Sequence, residues 1–451
     1  MADILTAELL ERYGDSCVPR YTSYPTAPHF SPEVGEETYG SWLSALPPAN
    51  ASLYLHVPFC RAMCWYCGCH TTVAAREAPV TRYLDCLARE IDLVARTAAG
   101  PLTVTHVHFG GGTPTLMPAE QMRALMRQLR DLFHVSTDAE IAIEIDPRAL
   151  APDMARALGA CGFNRASLGV QSFDLEVQRA INRVQSFEQT EAALRSLRAQ
   201  GIERINFDLI YGLPRQTVRS CLGTLKRALE LRPDRFAVFG YAHVPSFKPH
   251  QRKIDGAALP DSEARFAQSR AIAEALAQAG YVEIGLDHFA LPDDPLALAA
   301  RSHRLHRNFQ GYTTDEAEVL IGLGASAIGR MPQGFVQNEV RIPAYERLVG
   351  EGRLPVARGY SFSGDDRLRA EVIERLMCDH RADLGAICRR FGADPSGLLA
   401  EARLEPFLAD GLVKRDGLRI SVQPHARPLV RSIAAAFDAH LAGSNRHSRA
   451  V

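Results

Sequence analysis

Short apolar, β-branched runs alternate with longer amphipathic stretches through the middle of the chain. The predicted strands are residues 52–57, 104–109, 141–146, 165–170, 204–210 and 235–241. The predicted helices are residues 79–98, 118–133, 150–161, 187–200, 217–231 and 261–279. Six strand–helix units of this kind predict an α/β fold in which a parallel sheet, covered by helices, forms a partial (β/α)6 TIM-like barrel.

Polar residues and glycines gather directly after the predicted strands. In strand order they are a cysteine cluster, GGGTPT (110–115), Glu144 with Asp146, Gln171, Asp208, and Ala242 with His243. The carboxyl ends of parallel strands meet at one edge of a barrel, where active sites collect. We therefore expect these residues to lie together.

Two further regions flank the predicted barrel domain, which spans residues 51–345. Residues 1–50 form an N-terminal arm, in which Pro19, Pro25 and Pro28 exclude regular helix. The arm either packs on the domain surface or helps to close the active site. Residues 346–451 combine helices with a hairpin that turns at Asp416-Gly417, which predicts a mostly helical, winged-helix-like domain that covers the active site. A role in DNA binding is less favoured, because segment 381–400 lacks a dense basic face.

Composition and charge exclude several classes of partner. The chain has 51 Lys and Arg against 52 Asp and Glu among 451 residues, so it has no general attraction for nucleic acid or anionic membrane. It contains no run of 18 apolar residues, and its first residues carry acids where a secretory signal would be apolar. We expect a cytoplasmic monomer whose final segment, GSNRHSRAV, is disordered.

Four of the ten cysteines fall within ten residues, at Cys60, Cys64, Cys67 and Cys69. In a reducing cytosol such a group indicates metal binding. The C-x3-C-x2-C spacing lets one loop hold three corners of a [4Fe–4S] cluster and leaves the fourth iron open to S-adenosylmethionine (SAM). A structural zinc site is the alternative, but zinc cysteines usually come as two separated pairs. Cys67 and Cys69 should also point to opposite sides of an extended segment, so Cys69 is predicted to be a non-ligand or a reactive thiol.

The residues after the other strands suit SAM binding. Gly110, Gly111 and Gly112 allow main-chain groups to approach the methionine ammonium group. Glu144 and Asp208 could hold the ribose hydroxyls or the ammonium, and Arg183 could pair with the carboxylate. Taken singly, each of these charged residues is better interpreted as part of a structural salt bridge.

These motifs together resemble the oxygen-independent coproporphyrinogen III oxidases, which are radical SAM enzymes of heme biosynthesis. The resemblance rests on RYTSYPT, HVPFCRAMCWYCGCHT, HFGGGTPT, EIDPR, LGVQSF, NFDLIYGLPRQT, YAHVP and HRNFQGYTT, and it covers nearly the whole chain. It implies that two propionates of coproporphyrinogen III lose carbon dioxide and become vinyl groups, giving protoporphyrinogen IX. It also implies two SAM molecules per turnover, together with an electron donor and an electron acceptor that it does not identify.

The resemblance further assigns residues. Cys60, Cys64 and Cys67 match the cluster ligands, while Tyr54 and Tyr66 flank the cluster. The positions that match SAM contacts are Gly111, Gly112 and Thr113 in the glycine motif, the polar residues Glu144, Gln171, Arg183 and Asp208, and Ala242 and Ile328 beside the adenine. Ile210 and Gln310 match a second SAM site, and Arg20 with Tyr21 is placed to meet the tetrapyrrole carboxylates.

Two other functions remain as alternatives. Heme-binding chaperones of the same superfamily share the cysteine loop and glycine motif, but they usually carry an aromatic residue where Cys69 stands and lack the RYTSYPT arm. A zinc-containing, winged-helix regulator would bind DNA in a salt-sensitive way. The near-neutral charge and the long β/α region argue against it.

Overall fold

The six predicted strands form the centre of one twelve-stranded sheet in the computed structural model, which describes residues 5–14 and 16–441. They are β1 Ala49–Val57, β2 Leu102–Gly111, β3 His134–Ile145, β4 Arg165–Gln171, β5 Arg204–Tyr211 and β6 Arg235–Gly240. They lie side by side in chain order and every neighbouring pair is parallel. The prediction of a parallel β/α series is therefore confirmed. The GSNRHSRAV segment lies outside the described residues.

Six helices cover this sheet at the predicted places. They are α1 Ala78–Thr97, α2 Ala119–Leu132, α3 Pro152–Ala160, α4 Phe187–Arg198, α5 Val218–Glu230 and α6 Ser262–Gln278. Apolar side chains on one face of α1, among them Tyr83, Leu87 and Ile91, are fully buried in the main core. The helical periodicity thus marks the face that packs on the sheet. No described helix is long and apolar enough to cross a membrane.

Further strands extend the sheet at both edges. Next to β6 lie His288–Ala290 and Val282–Ile284, both antiparallel to their neighbours. Next to β1 lies the parallel strand Val319–Leu323, and it is followed by the antiparallel strands Ile328–Met331, Gly334–Asn338 and Val356–Ser361. The sheet thus continues past residue 345, where the sequence places the domain boundary.

Shorter elements complete this region. The helices are Glu36–Ser44, Leu175–Ala180, Pro295–Arg301 and Ile342–Gly350, and 3-10 turns lie at Ala27–His29, Pro114–Leu116, Pro147–Ala149, Pro249–Lys253 and Gly256–Ala258. Two small strand pairs are Phe59–Cys60 with Thr72–Val73 and His306–Asn308 with Gly311–Thr313.

The C-terminal region is helical with one small sheet. Its helices are Asp366–Asp379, Leu384–Phe391, Pro395–Glu401, Glu405–Ala409 and Val430–Ala434, with 3-10 turns at Pro424–Leu429 and Ala435–Phe437. Its strands are Arg381–Asp383, Val413–Asp416 and Arg419–Val422. The last two form the predicted hairpin, and Gly417 supplies the positive φ of +59° that its tight turn needs.

The N-terminal arm shares the hydrophobic core of this C-terminal region. Tyr13, Tyr21 and Tyr24 are buried in that core. The Tyr21 hydroxyl donates to Asp438 at 3.0 Å. At the same time Arg20 donates to the Gly240 carbonyl at the end of β6, at 3.1 Å. The arm therefore connects the C-terminal region with the carboxyl edge of the barrel sheet.

A buried carboxylate ties α1 to the strands beyond β1. Glu90, which is 1% exposed, accepts hydrogen bonds from the Gly324 amide at 2.7 Å, Asn338 Nδ2 at 2.6 Å and the Tyr345 hydroxyl at 2.6 Å. Buried polar groups are costly unless they are all paired, so this network depends on each of its members.

We expect Glu90→Ala to lower the free energy of unfolding by about 3 kcal/mol or more, because it leaves the buried Gly324 amide and the buried Tyr345 hydroxyl without an acceptor. Tyr345→Phe removes one of the three hydrogen bonds to Glu90 and should lower the free energy of unfolding by about 1–2 kcal/mol. Urea unfolding followed by circular dichroism measures both values. Asp85→Ala, at an exposed position of the same helix, is the control and should leave the midpoint unchanged.

Candidate active site

The predicted cluster loop follows β1, and its backbone is anchored on two sides. Phe59–Cys60 pairs in parallel with Thr72–Val73, which closes the base of the loop. On the other side, the Trp65 amide donates to the Ile181 carbonyl at 2.9 Å. The three predicted ligands therefore lie on a loop that is fixed against the segment following β4.

Two arginines and one carboxylate surround Cys64, the buried cysteine of the loop. Arg183 Nη1 lies 3.6 Å from Cys64 Sγ and 3.2 Å from Asp146 Oδ2. Arg148 Nη2 lies 3.8 Å from the same sulfur and 2.6 Å from Asp146 Oδ2. Positive charge is thus concentrated where an iron–sulfur cluster would bring its negatively charged thiolates.

Cys67 and Cys69 lie on the same side of the loop, so the expectation that they point to opposite sides is wrong. The turn at Trp65 and Tyr66 ends before Cys67, and the chain bends again at Cys69, so the segment is not regularly extended. A hydrogen bond with the Cys69 thiol is the main cause that lowers the pKa of Cys67 to about 6, against the opposing effect of burial. At Cys60 burial outweighs the opposing hydrogen bond with Thr113 and raises the pKa to about 11. That Cys69 is not a ligand stays a prediction.

Glycine lets the turn after β2 pack directly on the end of β1. The Thr113 amide donates to the Phe59 carbonyl at 2.7 Å, and Thr113 Oγ1 lies 3.5 Å from Cys60 Sγ. A Cβ atom at Gly112 would lie 2.5 Å from the Phe59 carbonyl oxygen, so a larger residue would force the two segments apart. Gly111 has a φ of +114°, which favours glycine as well.

Glu144 lies beside this turn and is held in its ionised form. Its carboxylate accepts from the Gly111 amide at 3.1 Å and lies 3.3 Å from His108 Nε2. Burial acts to raise the pKa of Glu144, but the hydrogen bonds and charge of these neighbours outweigh it and lower the pKa. The Tyr54 ring stacks on His108 at 5.9 Å, and its hydroxyl lies 2.9 Å from His56 Nδ1.

Asp208 on β5 is near Glu144, but its pKa is shifted in the opposite direction. Its oxygens accept from Ser167 Oγ at 2.9 Å and Asn206 Nδ2 at 2.8 Å. Burial, assisted by the negative charge of Glu144, raises the pKa of Asp208 to about 7. The structure therefore brings the two predicted carboxylates together, with different affinities for protons.

Gln171 and Arg183 converge above Gly169. A Cβ atom at Gly169 would lie 2.9 Å from Gln171 Nε2 and 3.1 Å from Arg183 Nη2. Gln171 Oε1 and Arg183 Nε are buried and have no hydrogen-bond partner within the described part of the chain. Unpaired buried polar atoms lower the stability of the folded state, and a ligand with polar groups would supply the missing hydrogen-bond partners.

Tyr66 lies in the cluster loop close to Cys64 and Arg183, and together with Ile210 it packs against one small apolar cluster. The remaining predicted positions lie apart from this centre. Ala242 lines a cavity of about 900 Å³ at the carboxyl end of β6. Ile328 starts a strand two places from β1, and Gln310 is exposed and lines a separate small pocket. A shared adenine site for Ala242 and Ile328, and a second SAM site at Ile210 and Gln310, stay predictions.

The donor set fits a [4Fe–4S] cluster. Within residues 5–14 and 16–441, no three His, Cys, Asp or Glu side chains are arranged around a single metal ion. In a cluster each thiolate binds a different iron, so three separate sulfurs on one anchored loop are what it requires.

Sequence reasoning did not assign several residues of this site. Arg148 lies two positions after Asp146 and is part of the EIDPR motif, but it was given no role. Ser167 and Asn206 carry no motif, and they are found only because neighbouring parallel strands place them beside Asp208.

Comparisons with known proteins agree with this geometry. The Radical SAM superfamily model matches residues 54–228, and the HemN C-terminal domain model matches residues 362–429. An oxygen-independent coproporphyrinogen III oxidase of Bradyrhizobium diazoefficiens is 60% identical over 99% of this chain and 100% of its own length. Its counterpart in Escherichia coli K12 is 43% identical over 96% of this chain and 95% of its own length.

A solved structure gives the same result at the level of the fold. The Escherichia coli coproporphyrinogen III oxidase, described as a radical SAM enzyme, superposes with a TM-score of 0.90 at 42% identity. The superposition covers 94% of this chain and 98% of that one. The chain therefore belongs to the oxygen-independent coproporphyrinogen III oxidase family of the radical SAM superfamily.

Proposed function

We propose that this protein converts coproporphyrinogen III to protoporphyrinogen IX without oxygen, by oxidative decarboxylation of two propionate side chains to vinyl groups. The observation that carries the proposal is the 60% identity, over 99% of the chain, to a relative named for this activity. The three-cysteine loop at the carboxyl edge of the sheet supports it, because this is where barrel enzymes place their chemistry.

The chain's own residues bind and orient the reactants. Cys60, Cys64 and Cys67 hold a [4Fe–4S] cluster, which when bound supplies the electron that cleaves SAM to a 5′-deoxyadenosyl radical. Arg183 and Arg148 offset the negative charge at Cys64. The arm and the C-terminal region exclude water from the site. A primary carbon radical requires this exclusion, because it would otherwise react with competing groups.

Four polar side chains and a glycine turn hold SAM. Glu144 and Asp208 accept hydrogen bonds from its ribose hydroxyls or its ammonium group. Gln171 and Arg183 offer buried polar atoms to the same ligand. Beside them, the glycine turn brings main-chain groups close to the methionine moiety, Tyr54 and Tyr66 flank the cluster, and Ala242 and Ile328 line the adenine.

The finer parts of the proposal concern stoichiometry and partners. Two SAM molecules are consumed per turnover, one for each propionate, and Ile210 and Gln310 lie near the second. The enzyme acts as a cytoplasmic monomer without nucleic acid, and separate molecules donate the first electron and accept the last.

An anaerobic assay tests the reaction. Cluster-reconstituted protein with reductant, SAM and coproporphyrinogen III should give 5′-deoxyadenosine and a product lighter by two carbon dioxides, both read by mass spectrometry. Cleavage of SAM without decarboxylation, together with stable heme binding, would instead favour the chaperone function.

Serine replacements test the cluster ligands. Cys60→Ser, Cys64→Ser or Cys67→Ser should each abolish the brown colour, the bound iron and the activity, because a serine hydroxyl is a poor iron ligand in this cluster. Cys69→Ser is the matched control from the same loop and should keep the iron content. Loss of the cluster in Cys69→Ser with its retention in Cys60→Ser would show that the ligand assignment is wrong.

Asp208→Asn tests SAM binding, because it keeps the shape of the side chain. The apparent Kd for SAM should rise about tenfold, as expected when a charged acceptor is lost, while the iron content is unchanged. In the wild type, SAM affinity should fall as the pH is lowered through about 7, where Asp208 takes up a proton. The variant should lack this dependence.

Asp234→Asn provides the control for that change. Asp234 accepts from the Ile205 amide at 2.8 Å, at the opposite end of β5. The Asp234→Asn variant should bind SAM as the wild type does. If Asp208→Asn also bound SAM normally at every pH, Asp208 would have only a structural role.

A further inference from the structure

The reaction proposed above needs one electron from outside the protein for each SAM molecule that is cleaved. This electron must enter at the cluster loop, residues 57–76. Gly68, next to the predicted ligand Cys67, is exposed, whereas Cys64 is buried. Because electron transfer slows steeply with distance, a donor has to bind at the exposed side of the loop, near Cys67.

The segment after β6, residues 241–254, lies against the cluster loop. Lys248 Nζ donates to the Cys69 carbonyl at 3.1 Å. His250 Nε2 lies 2.7 Å from the Cys67 carbonyl, and since a carbonyl can only accept, this ring nitrogen carries the proton. The segment is thus bonded directly to the backbone of a predicted cluster ligand. A molecule bound to the outer surface of this segment would therefore be close to the cluster.

These two segments are strongly basic. They contain no Asp or Glu, although the whole chain has 51 Lys and Arg against 52 Asp and Glu. Their five cationic residues are Arg61, Arg76, Lys248, Arg252 and Lys253. None of the five pairs with a carboxylate among the described residues, and Arg61 and Lys248 donate to backbone carbonyls instead. Lys253 Nζ lies 5.9 Å from the centre of the Trp65 ring. The positive charge of this surface is therefore available to a partner.

An exposed aromatic side chain lies in the same segment as three of these cations. Phe247 is 59% exposed, and Arg252 and Lys253, at the end of the 3-10 turn Pro249–Lys253, are exposed as well. Aromatic residues and arginines are enriched in protein–protein interfaces, where a few of them supply most of the binding energy. Phe247 borders the cavity at Ala242, whereas Arg252 and Lys253 lie outside its lining. A partner that contacts these two cations therefore leaves the cavity clear.

We infer that Lys248, Arg252 and Lys253, together with Phe247, form the docking surface for an acidic one-electron carrier protein of low reduction potential. The inference rests on the proposed function, and it names the class of the electron donor and the place where it binds. In the transfer the carrier is oxidised by one electron and the cluster is reduced by one, and no bond or proton changes. Complementary charge steers such encounters, and electron-transfer complexes need only small interfaces, which suits a surface of four side chains.

Charge reversal at the two outer cations tests this surface. The probe is a plant-type [2Fe–2S] ferredoxin, an acidic carrier of low potential. In Arg252→Glu/Lys253→Glu the Kd for ferredoxin, measured by surface plasmon resonance at low salt, should rise about tenfold or more. Added salt should weaken binding to the wild type and have much less effect on the variant.

SAM cleavage under anaerobic conditions provides the second measurement. It is driven by limiting ferredoxin with its reductase and NADPH, and it is read as 5′-deoxyadenosine without tetrapyrrole. The rate in Arg252→Glu/Lys253→Glu should fall by a factor similar to the rise in Kd. SAM cleavage driven by dithionite should equal that of the wild type, because the small reductant does not need the docking surface.

Lys414→Glu/Arg415→Glu is the matched control, since it reverses a neighbouring pair of exposed cations on the C-terminal hairpin. It should bind ferredoxin as the wild type does. Unchanged binding and unchanged ferredoxin-driven cleavage in Arg252→Glu/Lys253→Glu would overturn the inference. So would an equal loss of dithionite-driven cleavage, or a wild type that ferredoxin neither binds nor reduces. If ferredoxin drives SAM cleavage in the wild type but coproporphyrinogen III is not decarboxylated, only the proposed function fails.

Discussion

Parallel pairing of six consecutive strands is the constraint on which the rest of this molecule depends. A parallel neighbour can be reached only through a crossover, so each strand is followed by a helix and all six carboxyl ends face one edge. Residues far apart in sequence, such as Cys60, Glu144 and Asp208, therefore meet without any local signal linking them. The cluster loop, the glycine turn and the polar contacts are all products of that single geometric rule.

Electrostatics at this edge is organised around Arg183. Its guanidinium contacts the Cys64 sulfur, the Asp146 carboxylate and the Gly169 carbonyl, so one side chain joins the cluster loop to the ends of β3 and β4. From sequence alone, Arg183 could pair with a protein carboxylate or with a cofactor carboxylate. The structure shows the first pairing, with Asp146. The buried Arg183 Nε has no hydrogen-bond partner among the described residues, which leaves room for the second.

The parts that the sequence predicted are those governed by local periodicity or by a dense motif. The six strands, the six helices and the hairpin at Gly417 have such signals. The flanking strands Val282–Ile284 and His288–Ala290 were missed because each has three residues, too few to show alternation. The relation of Cys67 to Cys69 was misjudged for a different reason. An extended conformation was assumed for a segment that bends at Cys69, and no periodic pattern exists in so short a loop.

The N-terminal arm shows most clearly why some features require the folded structure. Its prolines excluded helix, but nothing local indicated that Tyr13, Tyr21 and Tyr24 belong to the core of a region more than 340 residues later. Arg431 of that region donates to the carbonyls of Val18 and Pro19, while Arg20 itself donates to the Gly240 carbonyl of the barrel. The arm is therefore held from both sides. Because the cavity is lined by the arm, the barrel and the C-terminal region, it depends on contacts between parts of the chain that no local pattern connects.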